Sequence, residues 1–195
     1  MTLRRFAAAL SAVLLVEAAA AAARSERVRF VLDPARTTIT FQLPAFLHTV
    51  HGTFPLKRGW FELDPESGDA AGEIVVDVAA GQTGNVSRDQ HMHREVLESS
   101  QYPEAVLVPD RVSGAIAPSG DSAVDLAARL SLHGAEHALT LKIQVQRSGE
   151  EARVTCSFPI PYAAWGLKNP STALLHVADR VTVEIQAAGR VEPAH

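Results

Sequence analysis

This sequence predicts an all-β chain of about eight antiparallel strands, with one short helix inserted near residues 88–98. Two observations carry the prediction. Apolar side chains recur at every second residue through most of the chain, and short polar, glycine-bearing segments separate the runs. A third supports them: nothing resembles the regular strand–helix alternation of an α/β fold.

The strands follow in order. Residues 37–43 set Ile39, Phe41 and Leu43 on one face, and 72–79 set Ile74, Val76 and Val78 opposite Glu73 and Asp77. Residues 123–132 bring Val124, Leu126, Ala128, Leu130 and Leu132 together, against Asp125, Arg129 and Ser131. Residues 138–147 do the same through Leu139, Leu141, Ile143 and Val145. The runs 152–160 and 180–187 repeat the period, the latter through Val181, Val183 and Ile185. Residues 53–63 and 105–116 are strands of weaker alternation. Period two means one buried face and one wet face.

The connections 64–69, 117–121, 133–137 and 148–150 are short and polar, as hairpin loops require. One segment differs. Ser87 and Gln90 have the spacing of a capping box, with Ser87 as N-cap, and Met92, Val96 and Leu97 then share a helical face until Pro103 stops it. A sheet of this size must protect its edges, by closing into a barrel or by pairing as a sandwich. An eight-stranded barrel is either just filled by its own side chains or able to hold one small ligand, and alternation alone leaves both open.

Residues 1–23 stand outside this pattern. Arg4 and Arg5 precede the apolar run 6–16, Glu17 follows, and 18–23 are all alanine. That is the layout of a secretory signal peptide, and it is too short for a membrane span of about 20 apolar residues. The expected organisation is a leader over 1–23 and one domain over 24–195, placed in the periplasm or outside a bacterial cell. A net charge of −4 argues against a nucleic-acid partner. The single cysteine, Cys156, excludes an internal disulfide framework and reads as a small buried hydrophobe.

Several segments, in this order, resemble the YceI-like family. They are Leu32-Asp33-Pro34 before a strand, the run 48–54 with His48, His51, Gly52 and Phe54, and the run 84–92 leading into the helix. Tyr102-Pro103-Glu104, the run 130–134, and 158–162 with Trp165-Gly166 complete the set, over residues 30–190. The resemblance implies a lipocalin-like antiparallel eight-stranded barrel that encloses a polyisoprenoid, an isoprenoid quinone or another long-chain amphiphile, without chemistry of its own. It implies that Phe41, Leu43, the 48–54 run with Phe54, Met92 and Leu97 surround the ligand entrance and that Phe158, Tyr162 and Trp165 wall the cavity; the expected ligand-binding set adds Leu130 and Leu141 from the inward strand faces and Phe46, with no cofactor.

Histidines supply the competing reading. His48/His51, His91/His93 and His133/His137 are close pairs, and imidazole is a common metal ligand, so a histidine-dependent metal-binding or redox-linked protein is the alternative. On a helix, however, His91 and His93 point about 200° apart and do not chelate together. No G-x-S-x-G, H-E-x-x-H, P-loop or G-x-G-x-x-G is present. Arg88 and Asp89 read as residues that fix the helical segment locally. Trp60 and Phe61 are adjacent, so one ring faces inward and the other outward, where Trp60 offers a homodimer contact.

Overall fold

The computed structural model describes residues 27–172 and 176–194; the leader read in residues 1–23 lies outside them. Ten strands follow in chain order: β1 (Val28–Leu32), β2 (Thr38–Pro44), β3 (Thr49–Phe54), β4 (Leu56–Leu63), β5 (Ala70–Asp77), β6 (Glu104–Ser113), β7 (Gly120–Leu132), β8 (Ala135–Ser148), β9 (Glu151–Ile160) and β10 (Val181–Pro193). Every pairing is antiparallel, and all ten strands belong to one sheet.

Ten strands make eight staves. β1 and β2 run along one line, interrupted by a short 3₁₀ turn, Pro34–Arg36. Asp33 sets that turn: its Oδ1 accepts from the Ala35 N–H at 2.9 Å, and Pro34 supplies a fixed φ and no donor. β3 and β4 share the next line, broken at Pro55, which has no N–H to give to the ladder. β10 closes the ring. One edge pairs with β9 through ten residues; the other pairs with β2 through 182–186 and with β1 through 189–193. The eight-stranded antiparallel barrel expected from the sequence is therefore what forms.

Side chains alternate as the period demands. On β7, Val124, Leu126, Ala128 and Leu130 are buried inside, while Asp125 meets Lys142 at 3.2 Å and Arg129 meets Asp110 at 3.0 Å outside. The β7–β8 hairpin turns on His133 and Gly134, both at positive φ (52° and 78°), the paired left-handed geometry that matches the twist of the strands. Phe61 faces in. Trp60 faces out, but the Arg29 guanidinium lies over its ring at 4.2 Å, so the ring is covered from within the chain.

The helix differs from its predicted start. α1 spans Val86–His91, and its N-cap is Asn85, whose side chain accepts from the Arg88 N–H at 3.0 Å. Ser87 lies inside the first turn, so the capping box expected of Ser87 and Gln90 does not form. The chain continues as a wider π-helical turn, Met92–Val96. The His93 ring bonds Ser99 Oγ at 3.0 Å and the Gly81 carbonyl at 2.8 Å, which ties that turn to its neighbours.

The closing seam is close-packed. A Cβ on Gly189 would stand 2.0 Å from the Val31 carbonyl oxygen and 3.0 Å from the Leu32 Cα. Gly189→Val therefore forces β1 off β10. We expect a loss of about 2–3 kcal/mol in urea unfolding, the range for overpacking a filled site. Wild-type stability for this variant would contradict the closure described.

Candidate functional site

The barrel is hollow. A cavity of about 840 Å³ runs through it, within the range of small-molecule sites. Its wall is made by inward residues of successive strands, among them Val124, Leu126, Leu130 and Leu132 of β7, and Val154, Cys156, Phe158 and Ile160 of β9. Eight residues along β7 correspond to roughly 26 Å of strand, and the tilt of a barrel strand reduces this to roughly 20 Å along the axis. At the far end lie Leu32, Val145, Ala187 and Phe30, whose ring meets Phe61 edge to face at 5.7 Å.

Polarity is confined to the other end. Apart from Thr37 and the Cys156 thiol, the polar lining residues sit at the mouth: His48, Thr83, Asn85, Ser87, Arg88, His91, Thr172 and the Tyr162 phenol. Three stretches contribute to this mouth: the β2–β3 hairpin, the segment 78–103 that contains α1, and residues 161–172 and 176–180 before β10.

Thr83 organises the helical side. Arg88 donates from Nε to Thr83 Oγ1 at 2.7 Å and from its terminal nitrogen to the Thr83 carbonyl at 2.9 Å. Asp89 accepts from the Thr83 N–H at 2.8 Å and from its hydroxyl. A guanidinium and a carboxylate thus clasp one residue, and the local role read for Arg88 and Asp89 holds. Glu95 joins the helical segment to the third stretch, accepting from Lys168 Nζ at 2.6 Å and Arg94 at 3.0 Å, with His91 at 3.3 Å. These partners, Lys168 first, hold its carboxyl down at about 2.

Of the residues expected to form the wall, Phe41, Leu43, Phe54, Met92, Leu97, Leu130, Leu141, Phe158 and Tyr162 border the cavity. Two stand apart. Phe46 projects from the hairpin tip, 77% exposed, because its backbone N–H is held by the His176 carbonyl at 2.9 Å and its ring faces solvent. Trp165 stacks flat on His137, with ring centroids 3.8 Å apart, and packs against the core without bordering the cavity. Sequence reasoning passed over Phe61, Ile74, Val76, Val181, Val183 and Ile185, which also face the cavity. Their alternation was visible, but period two does not say which buried faces enclose space.

The histidine pairs do not converge. His91 faces Glu95, His93 is pinned by Ser99 and Gly81, His133 bonds Glu98 Oε2 at 2.8 Å against the Tyr102 ring, and His137 lies under Trp165. Among the described residues, no three His, Cys, Asp or Glu side chains gather as a metal site. Yet every histidine of those residues, including His48, His51 and His176, belongs to the mouth half. No helix among the described residues is long and apolar enough to cross a membrane.

A family model for the YceI-like domain matches residues 30–188. The chain belongs to the YceI-like domain family. Its barrel is similar to solved structures that share the fold. Burkholderia cenocepacia BcnA has a TM-score of 0.66 at 17% identity, over 81% of this chain and 99% of that one. A polyisoprenoid-binding domain from Saccharophagus degradans, implicated in plant cell wall breakdown, has 0.64 at 21%, over 85% and 98%. A Campylobacter jejuni YCEI protein has 0.59 at 15%, over 74% and 86%. No curated protein sequence matches the chain significantly.

Cys156 reports on the wall directly. Burial raises its thiol to about 11 from an ordinary 9.0. The thiol should therefore resist alkylation at pH 8 in the folded protein and react at once in denaturant. A thiol that is neutral when folded contributes stability below pH 9, and that contribution is lost as pH rises from about 9 to about 11. Rapid alkylation of the native protein would contradict this placement.

Proposed function

We propose that this protein is an exported lipid-binding protein that encloses one long-chain amphiphile, tail inward and head at the mouth, for transport, storage or sequestration. One observation carries the reading: an apolar cavity of about 840 Å³ whose polar groups lie almost entirely at one end. An apolar wall offers a tail no hydrogen bond and needs none. Ten buried methylenes contribute roughly 8 kcal/mol of gross transfer free energy, from which ordering costs are subtracted.

The mouth suits an uncharged polar head. Asn85, Ser87 and His91 offer hydrogen bonds there, while Arg88 spends two of its donors on Thr83, the residue that Asp89 also holds. A prenol, a quinone or a fatty amide has that form. Membership of the YceI-like family and the likeness to a domain described as polyisoprenoid-binding support the lipid class. In this reading the protein performs no reaction. Export to the periplasm or beyond rests on the leader pattern of residues 1–23.

Native mass spectrometry of the gently purified protein, followed by solvent extraction, tests the proposal. A stoichiometric adduct of several hundred daltons that is released as a prenyl or fatty chain is expected. Leu141 is fully buried on the wall, and Leu141→Asp should abolish retention by placing an unpaired charge there. Phe158→Trp, which narrows the cavity without adding charge, should reduce retention while the far-ultraviolet circular dichroism stays unchanged. A bare mass that persists after incubation with quinones and fatty amides would overturn the reading.

A further inference from the structure

We infer that the mouth end is a docking surface for a phospholipid bilayer, entered by the tip of the β2–β3 hairpin with help from the start of α1. Among the described residues, the large hydrophobic side chains left most exposed are Phe46 (77%), Leu47 (78%) and Val86 (74%), and all three lie at this end. Elsewhere, outward faces of the barrel carry ion pairs such as Arg58–Glu73 and Lys142–Asp125. Scattered apolar residues need no explanation, but three grouped at the opening of a cavity do.

The hairpin is built to leave water. Residues 37–56 contain no Asp, Glu, Lys or Arg. Its tip can therefore enter the headgroup boundary without desolvating a fixed charge, which is the main cost of placing protein there. The tip is also braced. The Phe46 N–H donates to the His176 carbonyl at 2.9 Å, and the Ala178 N–H donates to the Pro44 carbonyl at 2.9 Å. Thr53 and Gln82 exchange both backbone hydrogen bonds, at 2.8 and 3.0 Å, so the segment leading to Val86 is fastened to the same hairpin.

Charge fits the same orientation. In the mouth stretches Arg88, Arg94, Lys168 and Arg180 balance Asp89, Glu95, Glu98 and Asp179, and beside them Glu104 and Glu136 are paired with Lys57 and Arg129, so most of the acidic excess of the described residues lies in the rest of the barrel. An anionic lipid surface thus repels the body more than the mouth, and the molecule presents its opening to the membrane. Aromatic and aliphatic side chains at the boundary, with histidines behind them, match an interfacial anchor. The purpose of such contact, passing a lipid between bilayer and cavity, rests on the carrier reading; the contact itself does not.

Vesicle sedimentation tests it. The protein as isolated from its producing cells is mixed with vesicles of three parts phosphatidylethanolamine to one part phosphatidylglycerol, and compared with a Phe46→Ser, Leu47→Ser double variant. We expect the wild type to sediment with vesicles and the variant to bind about tenfold more weakly or less. An environment-sensitive dye on Leu47→Cys should shift to the blue when vesicles are added. Cargo retention, measured separately by native mass spectrometry, should be unchanged in the double variant, because neither side chain lines the cavity. A wild type that holds no cargo and still binds vesicles through the hairpin would overturn the carrier reading alone. Absence of wild-type binding, binding that the substitutions leave untouched, or hairpin-dependent dimers in place of vesicle binding would each overturn this inference.

Discussion

Everything in this molecule depends on the double pairing of one strand. β10 takes β9 along one edge and divides the other between β2 and β1, and that division closes the ring, leaving β3 with one ladder partner and the Thr53–Gln82 bridge on its other side. An open sheet with this composition would expose a row of unpaired backbone groups beside an apolar face. The division comes with two interruptions in the chain, at Pro34 and Pro55, which split each of the first two staves into two strands along one line. It needs a residue without a side chain at Gly189, where two backbones come too close for a Cβ. Closure therefore comes from three specific residues as much as from general hydrophobicity.

Closure also makes the two ends unequal. At the far end the staves are joined by short hairpins such as the Gly149–Glu150 turn, and Phe30 packs against Phe61. At the other end the long excursion 78–103, and residues 161–172 and 176–180 before β10, lie about the opening. Polar side chains collect on these stretches, fastened by the Thr83 clasp and the Glu95–Lys168 pair. One polar end and one apolar depth give the cavity a direction. That direction, more than the volume, makes an amphiphile the natural occupant.

Much of this is legible in the sequence. The strict period of residues 123–147 announced β7 and β8, and the wet faces carried the charges that now pair across them. What the period missed has physical causes. β1 is only five residues long, and although Val28, Phe30 and Leu32 alternate, it follows directly on the leader. Pro55 hides the fact that β3 and β4 continue one another, and small residues such as Ala188 and Gly189 blur the second half of β10. The helix start was misplaced by two residues because Asn85 and Ser87 both offer capping oxygens, and only backbone geometry selects between them. At the site, hydrophobic identity was readable and direction was not. Phe46 and Trp165 have the chemistry of cavity residues, but hairpin geometry turns one to solvent and a stack on His137 keeps the other from bordering the cavity.

The most direct test of the central claim is the orientation of a bound chain. A long-chain alcohol carrying bromine at the end of its tail, bound to the crystallised protein, would show that atom by anomalous scattering. The account places the bromine deep in the barrel, near Leu32 and Val145, with the hydroxyl near Asn85 and Ser87. A bromine peak at the mouth beside α1, or on the outer surface of the barrel, would contradict it.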